Sequence, residues 1–199
     1  MKLAIMGGTF NPIHIGHLVC AEEAVSRYRL DKALFMPTGF PPHKEILEGA
    51  SSEHRFRMCT IATEGNPRFE VSRFEIDRRQ VSYTVNTIRH FRREMPDAEL
   101  YFITGADAVL EILEWKDPQE LLTMATLIAA TRPGYPLDKI SGALDVFLRE
   151  NRVKIIEIPG IGVSSTLIRN RVAEGKSIRY LVLEGVRQFI QEKGLYRKT

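Results

Sequence analysis

The stretch Leu3-Ala4-Ile5-Met6-Gly7-Gly8-Thr9-Phe10-Asn11-Pro12-Ile13-His14-Ile15-Gly16-His17 passes from a short apolar run, through two glycines, into a helical pattern. The run Leu3–Met6 reads as a strand and is too short for the apolar core of a signal peptide. Two glycines directly after a strand let the backbone pass close to a phosphate with no Cβ in the way. A helix opening near Gly16 would direct its free N–H groups and positive dipole end at an anion. His14 and His17, three apart, then project from one face of the first turn, and Gly16 between them is expected to leave room for a nucleotide. In an open parallel sheet, ligands gather beyond the carboxyl ends of the strands, which is where this stretch lies. Each part alone is weak. A Gly-Gly pair is often a plain turn, and two histidines without a third ligand nearby make a poor zinc site. The missing Gly-Lys-Ser/Thr ending excludes a P-loop, and the missing third glycine excludes a dinucleotide fingerprint.

Outward from this stretch, short apolar runs alternate with helical patterns. Leu3–Met6, Ala33–Met36, Leu100–Thr104, Thr126–Ala130 and Lys154–Ile158 read as strands, with Phe69–Val71 a weaker one. Their nearly continuous apolar character fits a parallel sheet covered on both faces. Helices are expected over Gly16–Tyr28, Ser52–Glu64, Thr84–Arg93, Ala106–Leu113, Pro118–Thr123, Leu137–Asn151, Thr166–Ala173 and Gly185–Lys193. The alternation predicts an α/β fold: a Rossmann-like open parallel sheet with helices on both faces and a short C-terminal helical segment. Residues 1–199 are expected to form a single domain, its C-terminal helical part spanning about 164–199. Thr38–Ala50, with Pro41-Pro42 and two glycines, is the longest irregular piece, and a loop of that length is often functional.

Composition sets the class. At 44% hydrophobic and 27% charged residues, the chain is an ordinary globular one with no run long enough to span a bilayer. Its net charge of +3 suits small anions without demanding nucleic acid, and it neither requires nor forbids a homo-oligomer. Cys20 and Cys59 lack metal or redox spacing and fall in helical apolar patterns, so they are expected as reduced thiols in a cytoplasmic protein.

A second motif is Val163-Ser164-Ser165-Thr166-Leu167-Ile168-Arg169. Hydroxyl residues cap a helix start there, and Arg169, about one turn on, can reach a bound phosphate. Together the two motifs resemble the signatures of the nucleotidyltransferase superfamily, which includes class I aminoacyl-tRNA synthetases. His14-Ile15-Gly16-His17 is spelled as in the synthetases, but this chain lacks their Lys-Met-Ser-Lys-Ser loop and their length. The resemblance spans nearly the whole chain and is closest to the bacterial nicotinate-nucleotide adenylyltransferases. It rests further on Pro41-Pro42-His43-Lys44, Ser82-Tyr83-Thr84, Gly105-Ala106-Asp107, Trp115-Lys116, Arg132-Pro133-Gly134 and Tyr180-Leu181-Val182. Asn11 stands where Asp is common, and Leu183 where Pro is expected.

The resemblance implies transfer of AMP from ATP to nicotinate mononucleotide, giving nicotinate adenine dinucleotide and pyrophosphate in NAD biosynthesis. It implies His14, His17 and Arg169 as catalytic groups, and an ATP site of Gly8, Thr9, Phe10, His14, His17, Gly105, Asp107, Arg132, Ser164, Ser165 and Arg169. Thr84 and Trp115 would form the nicotinate pocket, with Lys44 closing over the phosphates. Mg²⁺ is expected with ATP, held by phosphate oxygens and water, with no metal site of the protein's own. ATP and nicotinate mononucleotide are thus the expected partners, with neither nucleic acid nor membrane. Phosphopantetheine adenylyltransferases share both motifs but lack the Gly-Gly-Thr-Phe wording and the Trp115 region. An inactive nucleotide-sensing or nucleic-acid-binding copy of the fold is opposed by the intact motif residues.

Overall fold

The computed structural model describes residues 1–40, 49–134 and 141–197, without the side chains of Asp107 and residues 141–144. Six strands form one sheet in the order β3-β2-β1-β4-β5-β6. They are β1 (Lys2–Gly8), β2 (Lys32–Pro37), β3 (Phe69–Val71), β4 (Glu99–Gly105), β5 (Thr126–Thr131) and β6 (Val153–Glu157). Every pairing is parallel. This is the strand order of the doubly wound Rossmann-type sheet. The chain builds outward from β1 to β3 and then returns to place β4 on the other side of β1. A crevice therefore opens beyond the carboxyl ends of β1 and β4, where the order reverses.

The sheet's two faces are each covered by helices. β1 alternates as a central strand must: Ala4 and Met6 join one core cluster, Leu3 and Ile5 the other. The first cluster includes residues of α1 (Ile15–Tyr28), α2 (Ser52–Thr63), α8 (Ser165–Ala173) and α9 (Glu184–Glu192). The second includes α4 (Thr84–Glu94), α5 (Ala106–Leu110) and α6 (Pro118–Met124), with Phe74 of α3 (Phe74–Asp77) and Phe147 of α7 (Ser141–Arg149) packed against it. Ile5, Ile103 and Ile128 are fully buried at the sheet's centre, each side chain contributing about 1.5–3 kcal/mol.

All six expected strands are present, with ends shifted by two residues at most. The helix expected over Ala106–Leu113 is broken: α5 ends at Leu110, and a 3₁₀ turn follows at Ile112–Glu114. Glu111 leaves helical geometry (φ −90°, ψ 3°), and this delivers Ile112 into the core. α3 was not expected, because four residues are too few to show a helical period. Of the long irregular piece, residues 41–48 lie outside the described residues, as do residues 135–140 at the start of the helix expected from Leu137. Cys20 and Cys59 are buried free thiols, as expected, and burial pushes both pKa values up. No helix among the described residues is long and apolar enough to cross a membrane.

Candidate active site

The first half of the site is the turn from β1 into α1. His14 caps α1 in extended backbone (φ −146°, ψ 171°). Its N–H donates to Nδ1 of His17 at 3.2 Å, so Nδ1 is an acceptor and the neutral His17 ring carries its proton on Nε2. The two rings stack, centroids 3.7 Å apart and planes 25° apart. Burial, followed by the nearby Arg132 charge, lowers the His14 pKa to about 4. Burial, then His14, keeps His17 well below its ordinary range. At neutral pH both imidazoles are therefore uncharged N–H donors. Phe10, just upstream, sits at φ 48° with its ring 2% exposed and edge-on to His17 at 5.0 Å. A non-glycine residue in that region costs about 1–3 kcal/mol and persists only where packing holds it.

α8 meets this turn through side chains. Ser164 caps the helix, its Oγ accepting from the Leu167 N–H at 3.1 Å. Ser165 Oγ donates to the Pro12 carbonyl at 2.8 Å, and the Arg169 guanidinium donates to the Asn11 carbonyl at 2.9 Å. The two motifs, more than 150 residues apart, thus converge on one loop. Arg169 braces that loop and retains N–H donors for a ligand. Two further residues hold the loop from below. Arg55 of α2, 5% exposed, donates to the Thr9 carbonyl at 2.8 Å. Tyr196 donates its hydroxyl to Oδ1 of Asn11 at 2.6 Å, inside the core. Asn11 therefore anchors the C-terminal segment through its side-chain carbonyl. Nδ2 of Asn11 and Nδ1 of His14 are buried with no hydrogen-bond partner among the described residues. Such groups each cost about 1–3 kcal/mol unless a ligand or water pairs them.

The role expected for Gly16 is corrected. A Cβ there would come within 3.1–3.2 Å of the His14 ring and of Val163, so its smallness serves the packing of the motifs against each other. Gly7 and Gly8 behave similarly: a Cβ would meet the rings of Phe102 and Phe10 at 3.1 Å.

The second half of the site is a cavity of about 290 Å³ beside the first, reaching from Gly7, Gly8 and Thr9 to Thr38, Glu75, Ser82, Tyr83, Thr84, Phe102, Thr104, Ala108, Glu111, Trp115 and Lys116. Trp115 follows the 3₁₀ turn and stands edge-on to Phe102, centroids 6.0 Å apart. Thr84 opens α4. One clamp fixes these two walls: Arg89 of α4 donates to Asp117 Oδ2 at 3.1 Å and to Asn86 Oδ1 at 2.9 Å, and it also pairs with Glu120. Glu75, 7% exposed, accepts from the Thr87 hydroxyl at 2.7 Å, and burial pushes its pKa up.

Of the residues singled out in the sequence, His14, His17, Ser164, Ser165 and Arg169 meet around the β1–α1 turn, and Arg132 lies close enough to perturb His14. Gly8 and Thr9 join that turn to the cavity, where Thr84 and Trp115 face them. Gly105 caps α5 at the end of β4, with Asp107 in its first turn. Lys44 lies outside the described residues. The sequence reading missed Arg55 and Glu75, and it named Lys116 only beside Trp115 in the family wording, with no role. Arg55 was detectable: it shares a helix face with the buried Met58, Cys59 and Ala62, an odd place for a guanidinium. Glu75 lies on the unexpected α3, which hid it.

The sequence model of the cytidylyltransferase-like family matches residues 5–171. A Moorella thermoacetica protein named "Probable nicotinate-nucleotide adenylyltransferase" is 50% identical, covering 98% of this chain and 92% of its own. One of the same name from Thermoanaerobacter is 48% identical over 100% of this chain and 95% of its own. Among solved structures, Plasmodium falciparum nicotinic acid mononucleotide adenylyltransferase complexed with NaAD superposes with a TM-score of 0.80. It is 17% identical and covers 98% of this chain and 97% of its own, a likeness of fold.

Proposed function

From the premise that this chain belongs to the cytidylyltransferase-like family, and within it to the nicotinate-nucleotide adenylyltransferases, we infer how its two half-sites divide the work. The enzyme transfers AMP from ATP to nicotinate mononucleotide, giving nicotinate adenine dinucleotide and pyrophosphate. The observation that carries the assignment of residues is the hydrogen bonding of Ser165 and Arg169 to the loop that precedes His14. It brings both motifs to one loop, next to a cavity lined by Thr84 and Trp115, and supports a shared site for the two substrates.

The nucleophile is the mononucleotide's own phosphate, largely ionised at neutral pH because its second pKa is about 6. No general base is needed. The protein's contribution is in-line positioning and stabilisation of charge on the α-phosphate and the departing pyrophosphate. Neutral His17 offers Nε2–H as a donor without first taking up a proton, and His14 flanks it. Arg169, Arg132 and the positive end of the α1 dipole add positive potential. Gly8, Thr9 and Phe10 bring backbone against the triphosphate, Ser164 and Ser165 fix the second helix start, and Gly105 with Asp107 receives the adenosine. Thr84 and Trp115 take the pyridine ring, and Lys44 closes on the phosphates. The described residues hold no group of three His, Cys, Asp or Glu that could bind a metal. Mg²⁺ enters as part of MgATP, carried on phosphate oxygens and water. Buried reduced thiols suit work in the cytoplasm.

The test is incubation with MgATP and each of nicotinate mononucleotide, nicotinamide mononucleotide and phosphopantetheine. Pyrophosphate release strongest with the first is expected; release only with phosphopantetheine sinks the reading.

A further inference from the structure

We propose that Lys116 is the acid-selecting residue of the acceptor pocket, the group that distinguishes a pyridine carrying a carboxylate from one carrying a neutral amide. The proposal rests on the acceptor assignment above and extends it to a side chain that assignment does not use.

Two carboxyl side chains, Glu75 and Glu111, and one amine, Lys116, line the cavity among the described residues. Glu75 is buried and tied to Thr87. Glu111 and Lys116 are exposed. Lys116 is therefore the one cation among the described residues of the lining. Its ammonium makes no ion pair among those described, with Glu111 or any other carboxylate. It rests over the face of Tyr83, Nζ 4.7 Å from the ring centroid. A cation on an aromatic face at an exposed position is held weakly and is easily drawn to an anion.

Placement makes this more than a loose surface lysine. Lys116 directly follows Trp115, the aromatic wall, and directly precedes Asp117, which the Arg89 clamp secures to α4. Asp117 itself sits at φ 49°, so the backbone here is held in an uncommon conformation. Tyr83, on which the ammonium rests, directly precedes Thr84. The clamp thus brings the one cation among the described lining residues to the edge of the ring pocket. A substituent projecting from a ring placed against Trp115 would meet Tyr83 and Lys116 first. A carboxylate there gains a charge-assisted hydrogen bond that a carboxamide does not.

Wild type, Lys116→Gln and Lys116→Arg are to be compared with MgATP and either nicotinate or nicotinamide mononucleotide. Lys116→Gln is expected to lower kcat/KM for the acid roughly tenfold to a hundredfold, the size of one lost charged hydrogen bond. The amide's kcat/KM and the KM for ATP should stay within about twofold. Lys116→Arg should restore most of the preference. Equal losses for acid and amide, or an unchanged ratio, overturn the proposal, and so does Lys116→Arg behaving like Lys116→Gln. A wild-type protein inert toward both acceptors defeats the acceptor assignment itself, and is distinguished from these outcomes before any variant is made.

Discussion

The two halves of the site are built in opposite ways. The β1–α1 turn is dense: Asn11, His14 and Arg55 are buried, its loop carbonyls accept from Arg55, Ser165 and Arg169, and its two imidazoles stack. The acceptor half is an open cavity whose walls come from the ends of β1 and β4 and the starts of α4 and α5, joined by the Arg89 clamp. The dense half must place charge-stabilising donors where the reacting phosphorus will be, and preorganised donors act with little reorganisation. The open half must admit and release a flat ring, so it relies on surface and shape.

If that contrast is right, the largest effect should come from the dense half. His17→Ala is expected to lower turnover ~10²–10³-fold with the fold intact, comparable to loss of a single oxyanion donor. Steady-state kinetics with a circular-dichroism control checks it, and near-normal turnover would remove His17 from the chemistry.

Next in size is acid sensitivity. With His14 held at about 4, the unfolded chain, titrating near ~6.5, binds more protons between those values. Stability should therefore fall as pH drops through that window, by up to about 3 kcal/mol for His14 alone. His17 acts in the same direction. Glu75 in the open half has the opposite sign: its raised pKa favours the fold at low pH, an advantage lost as pH rises through its folded value. Urea unfolding from pH 7 to pH 4 should show the slope, flattened in His14→Asn and steepened in Glu75→Gln. A flat wild-type profile would mean that the imidazoles are not buried in solution.

Trp115→Ala should raise the KM for the mononucleotide by about five- to a hundredfold, the worth of one stacked ring, and spare the KM for ATP. Equal losses would erase the division into halves. The smallest change concerns the tether: Tyr196→Phe removes the hydroxyl bond to Asn11 and should cost about 1 kcal/mol in stability. No change in melting temperature would show that the C-terminal segment does not hold the dense half in place.

The same contrast explains what could be read in advance. Each dense-half motif is continuous in sequence, because a helix N-terminus concentrates its donors within a few residues. The Gly-Gly pair, His14, His17, Ser164, Ser165 and Arg169 could therefore be named from spacing. The strands were legible too, since buried parallel strands are unbroken apolar runs. The packing role of Gly16 was missed because part of its crowding comes from Val163, far along the chain, and the rest from how the His14 ring is turned. Thr84 and Trp115 were named through family resemblance alone, since nothing in their spacing marks a ligand wall.

By itself, then, the sequence determined the parallel sheet, its element order and the two helix starts, because burial periodicity and capping are local properties written residue by residue. Only the tertiary structure decided that Ser165 and Arg169 meet the turn before His14. It also decided that Arg55 and Tyr196 support that turn from inside the core, and that Lys116 is the sole cation among the described residues of the acceptor cavity. These are encounters between segments distant along the chain, and their geometry is set by how the helices pack on the sheet.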